Sequence, residues 1–168
     1  EHSSCGVGFL TRKDGVQSHD VLLKGHEDLR AVPHRGGMSS QGVGDGAGVS
    51  VDLSGGFFSI LTGVDLGPGT FGVGNFFLPS GPKLADKAGI VIETALADAG
   101  FQTLTIRDVP VNREAIPERS AAYQLPMAQW VFQAKDGASG AELDRRIHSA
   151  LLAIEAQAYT DPSNDGLY

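Results

Sequence analysis

The sequence predicts an α+β domain, and three observations carry this prediction. Residues 71–78, 101–109 and 127–134 are short apolar runs typical of strands, whereas residues 83–99 carry apolar side chains at helical spacing. The length of 168 residues fits one domain. Hydrophobic residues make up 41% and charged residues 20%, which is ordinary globular usage and allows a sizeable core.

The first third of the chain alternates strand and helix signals. Residues 5–11 are interpreted as a short buried strand interrupted by glycines. A helix is predicted from Ser18, its N-cap, to Pro33, because residues before proline avoid helical dihedrals. Alternation over residues 49–53 predicts a strand, and residues 57–61 continue the apolar pattern.

The remaining elements have clearer boundaries. Pro79 closes the strand at 71–78, while Pro82 and Gly100 bracket the helix at 83–99, as expected from the proline-first, glycine-last asymmetry. A loose stretch at 110–126 separates the last two strands. Ser139 and Glu142 fit a capping box that opens a final helix. This mixture predicts sheet-on-sheet and helix-on-sheet layers.

Charge and hydropathy exclude two classes of partner. The formal net charge is -7 and the 13 basic residues are scattered, so a nucleic-acid-binding surface is not expected. No apolar stretch reaches the roughly 18 residues of a membrane span. The opening residues 1–4 lack the basic start and apolar run of a signal peptide, and a cytoplasmic location is expected.

A glycine-rich loop at residues 42–48 matches G-x-G-x-x-[GA], but its context argues against phosphate binding. A dinucleotide loop follows a strand and opens a helix, whereas here a helix precedes and a predicted strand follows. We interpret it as a turn-rich loop in which Asp45 accepts hydrogen bonds from local backbone amides, and we expect it to pack beside the functional site.

Cys5 is the single cysteine, so the chain has no internal disulfide and no thiolate metal cluster. It is either a buried apolar residue or a reactive thiol. As a terminal residue it would carry its own base, since an α-amino group has a pKa of about 8. A Cys-His hydrolase is the alternative, and it would use His2, His19, His26, His34 or His148.

Several segments occur in the order found in one family. The chain has Cys-Gly-Val-Gly-Phe at 5–9, His-Arg-Gly at 34–36, Gly-Asp-Gly-Ala-Gly at 44–48 and Phe-Leu-Pro at 77–79, followed by Arg-Asp-Val-Pro-Val at 107–111. This order resembles the class II glutamine amidotransferase domain that opens the glutamate synthase large subunit. The resemblance covers nearly the whole chain.

The resemblance implies a four-layer αββα N-terminal-nucleophile fold, of which we expect only the first part here. It also implies hydrolysis of glutamine to glutamate and ammonia through a thioester on Cys5. Arg35 would bind substrate, or alternatively hold loop carbonyls. Gly6, His34, Gly36 and Asp45 would line the site. No metal is expected.

Two departures from the family pattern affect this expectation. Residues 1–4 resemble the end of a propeptide, which makes Ser4 and Cys5 a processing junction and residues 5–168 the amidotransferase domain. The family's oxyanion Asn-Gly pair is expected beyond Tyr168, because neither Gly74-Asn75 nor Asn164-Asp165-Gly166 matches it. Ile106 also replaces a common tryptophan.

The implied partners are L-glutamine and an ammonia-accepting synthase domain or subunit. The chain could also form an oligomer. The chain is expected to hold no cofactor, since FMN and an iron-sulfur cluster would belong to partner domains. The alternative is a catalytically inactive amidotransferase-like module with a regulatory or assembly role, in which the tail before Cys5 is never removed.

Overall fold

A computed structural model describes residues 6–32, 44 and 46–160, in which the chain forms two compact units. The N-terminal unit comprises Glu1–Asp52 and Asn112–Ala122. The sheet unit comprises Leu53–Val111 and Tyr123–Tyr168.

Helices and strands are mixed along the described part of the chain, which agrees with the α+β prediction. The helices are α1 (His19–Ala31), α2 (Gly55–Thr62), α3 (Pro82–Asp98), α4 (Glu118–Ala121) and α5 (Ala141–Thr160). The strands are β1 (Phe71–Phe77), β2 (Phe101–Asp108) and β3 (Met127–Ala134), and a single 3₁₀ turn spans Arg113–Ala115.

The three strands form one antiparallel sheet in the order β1-β3-β2. The last strand in sequence therefore lies in the centre. Val73 of β1 pairs with Val131 and Ile106 of β2 pairs with Trp130, and a bulge lies between Thr103 and Thr105. The bulge adds one residue to β2. The alternation of side chains between the two faces therefore shifts by one residue across the bulge.

The two faces of β3 bury different cores. Trp130 and Phe132 point towards α3 and α5, where the larger core packs. Val131 points the other way, where Phe58 of α2 and Phe71 of β1 form a smaller core. Because side chains alternate along a strand, consecutive residues of β3 belong to opposite layers. The sheet unit thus has helices on both faces of one sheet.

A hydrogen-bonded carboxylate fixes α3 against the sheet. Glu93 accepts the indole N–H of Trp130 at 2.6 Å and the hydroxyl of Thr103 at 2.8 Å with the same oxygen. Trp130 is almost completely buried, so its N–H would otherwise lack water. A buried donor without a partner costs about 1–3 kcal/mol, and Glu93 removes that cost.

Several predicted boundaries are confirmed. Ser18 caps α1 by accepting from the backbone N–H of Asp20, and α1 ends at Ala31, before Pro33. Pro82 is the first residue of α3, and Gly100 follows the helix with a left-handed φ of 85°. The signals at Ser18, Pro82 and Gly100 are local, and the tertiary structure leaves them in place.

Two predicted strands are wrong in the described residues. Residues 6–11 and 46–54 contain neither strand nor helix. Val7 and Phe9 are 95% and 91% exposed, so the first segment is not buried either. An apolar segment becomes a strand only when it finds an edge to pair with. Within the part of the chain that the structure describes, these segments have no strand partner.

The apolar run at 57–61 lies in α2 rather than in a strand. Ser54 accepts from the N–H of Phe57 at the start, and Gly63 ends the helix in the left-handed region at a φ of 71°. A short continuous apolar run does not distinguish a strand from a buried helix, and the flanking caps decide the outcome here.

The final helix is confirmed, but its start differs from the capping-box prediction. The helix α5 begins at Ala141, so the residue directly before it is Gly140 rather than Ser139. Gly140 has a φ of 57°, and its N–H donates to the carbonyl of Gly69. That contact ties the start of α5 to the turn before β1.

Within residues 6–32, 44 and 46–160, no helix has the length and the apolar character that crossing a membrane requires.

Two glycine-to-alanine substitutions should change stability in opposite directions. A Cβ at Gly72 would lie 2.4 Å from Cε2 of Phe132 and 2.9 Å from Cδ1 of Ile147. We expect Gly72→Ala to lower the free energy of unfolding by about 1–3 kcal/mol through overpacking. A Cβ at Gly89 in α3 meets nothing within 4 Å. Gly89→Ala should raise the free energy of unfolding by about 0.5–1 kcal/mol, because alanine favours the helix over glycine.

Urea unfolding followed by the fluorescence of Trp130, the single tryptophan, measures both variants. Equal stability of the two variants would contradict the packing of β1 against β3.

Candidate functional site

Most residues of the predicted site lie outside the described part of the chain. These are Ser4, Cys5, His34, Arg35, Gly36 and Asp45. Gly6, which follows the candidate nucleophile, is described: it is exposed and lies in neither helix nor strand.

Two segments that border the predicted site residues meet on α1 in the N-terminal unit. A Cβ at Gly25 would lie 3.6 Å from Cγ1 of Val49 and 4.0 Å from Cδ1 of Leu10. Leu10 belongs to the segment that begins at the nucleophile, and Val49 follows the glycine-rich loop. The structure therefore brings the end of the Cys-Gly segment and the end of the Gly-Asp-Gly segment to the same side of one helix.

Among the described residues of the glycine-rich loop, which are 44 and 46–48, Gly46 lies in the left-handed region. Gly46 has a φ of 97°, which side chains other than glycine rarely adopt. This supports the interpretation of the segment as a tight turn. No helix follows the loop within residues 46–54, so the arrangement needed for a pyrophosphate is absent from that described stretch.

An ion pair closes the turn that follows the nucleophile segment. Nε of Arg12 donates to Oδ1 of Asp14 at 2.9 Å, and Nη2 donates to Oδ2. Asp14 also accepts the N–H of Val16, and Gly15 supplies a φ of 66°. The hydrogen bonds from Arg12 first, and from Val16 second, lower the pKa of Asp14 to about 2. Both donors favour the ionised carboxylate.

The described histidines lie on the surface. His19 and His26 are exposed on α1, and His148 is exposed on α5. His2 and His34 lie outside the described residues, as does Cys5. The Cys-His alternative therefore stays open. Among residues 6–32, 44 and 46–160, no cluster of three or more histidine, cysteine, aspartate or glutamate side chains could hold a metal ion.

Two further motif segments converge in the sheet unit. After β1, the N–H of Leu78 donates to the carbonyl of Pro126 at 2.8 Å. After β2, the N–H of Val109 donates to the carbonyl of Met127 at 2.9 Å. The Phe-Leu-Pro and Arg-Asp-Val-Pro-Val segments thus both attach to the start of β3, although 27 residues lie between Pro79 and Arg107 along the chain.

Sequence reasoning missed a polar chain that crosses this sheet. Nε of Arg107 donates to Oε1 of Gln129 at 2.8 Å, and Nε2 of Gln129 donates to Oδ1 of Asn75 at 2.8 Å. Gln129 is only 8% exposed. Gln129 stands among the apolar residues of β3, and this buried polar residue was the sequence signal that could have pointed to the chain of hydrogen bonds. Its partners Arg107 and Asn75 could be identified only from the strand register.

Comparison with known proteins identifies the relatives of this chain. The model of the class-II glutamine amidotransferases matches residues 5–168. The large chain of the NADPH glutamate synthase of Azospirillum brasilense is 31% identical over 170 residues, which cover 98% of this chain and 11% of that protein. Ferredoxin-dependent glutamate synthase 1 of Arabidopsis thaliana is 31% identical over 175 residues, which cover 100% of this chain and 11% of that protein.

A third relative is ferredoxin-dependent glutamate synthase 2 of Synechocystis sp., 30% identical over 159 residues, which cover 92% of this chain and 10% of that protein. The chain spans about a tenth of the length of these curated relatives.

The Arg12–Asp14 pair predicts an unusual acid titration. Because the pKa of Asp14 is lowered, its contribution to stability is present above the ordinary value of 3.8 and is lost as the pH falls through about 2. At pH 3 we expect Asp14 to remain ionised, whereas an ordinary aspartate would be mostly protonated. Carboxyl carbon shifts measured by NMR report this directly.

Arg12→Gln should return the midpoint of Asp14 towards 3.8. The matched variant Arg30→Gln removes the same charge from the end of α1 and should leave it unchanged. A midpoint of Asp14 near 3.8 in the unaltered protein would show that the pair does not form.

Proposed function

The chain belongs to the class-II glutamine amidotransferases, and we propose that it hydrolyses glutamine to glutamate and ammonia for a glutamate-synthase-like partner. The observation that carries the proposal is the extent of the family match, which begins at Cys5 and runs to residue 168. Cys5 is also the chain's single thiol. Similarity over nearly all of this chain to one tenth of the glutamate synthases, at about 31% identity, supports the choice of partner.

The proposed reaction proceeds through a thioester. The α-amino group of Cys5 accepts the thiol proton, and Sγ forms a bond to the side-chain amide carbon of glutamine. The carbon–nitrogen bond then breaks, and ammonia leaves with a proton from the α-ammonium group. Water attacks the thioester, which releases glutamate and returns the proton to sulfur. The net reaction is glutamine plus water to glutamate plus ammonia.

This mechanism requires a free amine on Cys5. Four residues precede Cys5 in the sequence, and while they are attached its nitrogen is an amide. An amide nitrogen has no basic lone pair, so it cannot accept the thiol proton. We therefore propose that the bond between Ser4 and Cys5 is cleaved before catalysis.

The other residues act around this nucleophile. The planar guanidinium of Arg35 suits a carboxylate or carbonyl oxygen of glutamine in two-point contact. Gly6, His34, Gly36 and Asp45 would form the surrounding wall. The convergence of Leu10 and Val49 at Gly25 supports this grouping, because it brings the Cys-Gly and Gly-Asp-Gly segments to one helix.

We propose a four-layer αββα arrangement for the complete domain. The sheet unit supports it with one sheet that carries α3 and α5 on one face. The other face holds α2 and the partly exposed polar chain from Arg107 to Asn75. A second sheet would cover that face.

The synthase reaction itself would take place outside this chain. The relatives named as glutamate synthases are about ten times longer than the matched segment. An iron-sulfur cluster does not fit the residues present, since one cysteine supplies one thiolate and a cluster takes about four. The chain would deliver ammonia, and partner domains would hold any redox group.

Removal of the thiol should abolish glutamine hydrolysis and little else. We expect Cys5→Ala to lower the kcat/KM for glutamine on the order of 10⁴-fold or more, as for other catalytic nucleophiles. Ammonia release and thioester trapping measure the loss. Ser149→Ala, at an exposed position of α5, serves as the matched control and should retain full activity. Glutamine hydrolysis that persists in Cys5→Ala with an unchanged unfolding curve would refute the proposed nucleophile.

Activity should also depend on the state of the Ser4–Cys5 bond. We expect glutaminase activity to rise in proportion to the fraction of molecules that begin at Cys5, because only these have the free amine. Intact mass and activity, measured across preparations at different stages of cleavage, test this. A homogeneous preparation that retains residues 1–4 and hydrolyses glutamine at full rate would show that a side chain is the base. A protein that never loses the tail and is inactive would instead favour a regulatory or assembly module.

A further inference from the structure

A groove of about 480 Å³ lies between α3 and the sheet, on the face opposite the one that the proposed second sheet would cover. Ile90 of α3 lines it on one side, and Leu78, Ile106 and Trp130 line it on the side of the sheet. Ile90 is 66% exposed and Ile106 is 49% exposed, so apolar surface is open to solvent here. The volume is within the roughly 300–1,000 Å³ that is typical of small-molecule sites.

Small residues of α3 open this groove. Ala85, Gly89 and Glu93 all line it, and they follow one another at intervals of four residues, which places them in one row along the helix. A Cβ at Gly89 would meet nothing within 4 Å. A glycine inside a helix lowers stability relative to alanine, so this opening has a cost for the fold. The space beside Gly89 allows a ligand to approach the helix backbone.

Glu93 lines the groove with a carboxylate of fixed orientation. Its Oε1 accepts both the indole N–H of Trp130 at 2.6 Å and the hydroxyl of Thr103 at 2.8 Å. Its Oε2 accepts no hydrogen bond from the described residues. The side chain is half-buried. Since two donors hold the first oxygen in place, the second oxygen has acceptor capacity for a ligand, and a cationic donor would form the stronger bond.

A second carboxylate lines the same groove two helical turns away. Asp86 precedes Glu93 by seven residues, so the two lie on one side of α3 and about 10 Å apart along its axis. Ile90 lies between them. The basic residues of α3, Lys83 and Lys87, do not line the groove. The groove is therefore acidic at both carboxylates and apolar between them.

We propose that this groove binds an aliphatic diamine, with one ammonium group on Glu93, the other on Asp86, and the methylene chain against Ile90 and the open side of Gly89. An extended chain whose two nitrogens are about 10 Å apart matches the spacing of the two carboxylates along the helix. Its methylene groups leave water for the apolar walls, which adds a hydrophobic contribution. The inference concerns the α3 groove alone and does not depend on the proposed glutaminase function.

Free amino acids and polypeptide segments fit the groove less well than a diamine. The carboxylate of an amino acid, glutamine included, would be repelled because both charged groups of the lining are negative. A polypeptide would bring main-chain amides and carbonyls that need hydrogen-bond partners. The remaining polar side chain of the lining is Thr94, whose hydroxyl already donates to the carbonyl of Ile90. The lining therefore matches two cations joined by an apolar chain.

Calorimetric titration of the full chain with heptanediamine, heptylamine and propanediamine tests the match at two points. Heptanediamine spans both carboxylates when extended, heptylamine carries one ammonium group, and propanediamine is too short. We expect heptanediamine to bind about threefold more tightly than heptylamine, which is the effect of one exposed ion pair. It should bind about tenfold more tightly than propanediamine, which buries fewer methylene groups. The emission of Trp130, the single tryptophan, locates the ligand because its indole lines the groove.

Two isosteric variants separate the carboxylates. Glu93→Gln removes the charge, while its amide oxygen can still accept both internal hydrogen bonds, and we expect it to weaken the binding of heptanediamine about tenfold. Asp86→Asn should weaken heptanediamine about threefold and leave heptylamine unchanged. Glu155→Gln removes the same charge from an exposed position of α5, and this matched control should bind heptanediamine like the unaltered protein.

A further variant tests the space in the groove. Gly89→Leu keeps both carboxylates but fills the opening beside the helix, so it should abolish the binding of heptanediamine. Its urea unfolding curve shows whether the variant is folded. Binding that persists in folded Gly89→Leu would place the ligand elsewhere and overturn the proposal.

Three other results would also overturn it. The first is neither heat nor a change in Trp130 emission on addition of heptanediamine. The second is equal affinity for heptanediamine and heptylamine. The third is equal affinity in Glu93→Gln and Glu155→Gln, which would show general attraction of a cation to a chain of net charge -7. Cys5→Ala should bind heptanediamine unchanged, so this proposal and the glutaminase proposal fail independently.

Discussion

The position of β3 between β1 and β2 is the constraint on which the sheet unit depends. Both edges of β3 are hydrogen-bonded, and both of its faces are covered. Trp130 and Phe132 bury against α3 and α5, while Val131 between them buries against α2 and β1. A shift of one residue would exchange these sets between the two faces. One strand therefore fixes which helices lie on which side.

The same register explains the polar side chains of the sheet. Glu93 satisfies the indole N–H of Trp130 on the α3 face, and Gln129 joins Arg107 to Asn75 on the opposite face. On the first face the donors meet acceptors inside the unit. On the second face the row ends in donors that have no hydrogen-bond acceptor among the described residues, which makes the two faces chemically different. The first face is covered by α3 and α5, and the second is the face that the proposed second sheet would cover.

The chemistry proposed for Cys5 imposes a different kind of constraint. A nucleophile that uses its own α-amine needs no neighbouring base, but it does need a chain terminus. The arrangement of the rest of the N-terminal unit then has to leave that terminus accessible. The exposed Gly6 and the closed turn at Arg12 and Asp14 are compatible with this requirement. The hydrogen bonds among Arg12, Asp14 and Val16 that hold the turn are local.

The sequence by itself determined the features that depend on neighbouring residues. Ser18 predicted the start of α1, Pro82 and Gly100 predicted the limits of α3, and the apolar run at Met127–Ala134 predicted β3. The ordered motifs predicted the family, although most of the predicted site residues lie outside the described part of the chain. Helix caps, prolines and dense apolar runs act over one or two turns, so they can be recognised from the sequence alone.

Only the tertiary structure decided which segments pair and which faces meet. Residues 49–53 alternate like a strand but find no partner among the described residues, and the run at 57–61 becomes α2 because its caps at Ser54 and Gly63 outweigh its composition. The row from Arg107 to Asn75 joins residues far apart in sequence, and it exists because the order β1-β3-β2 places Gln129 between them. Strand pairing is a contact between distant residues, and no local pattern specifies the partner.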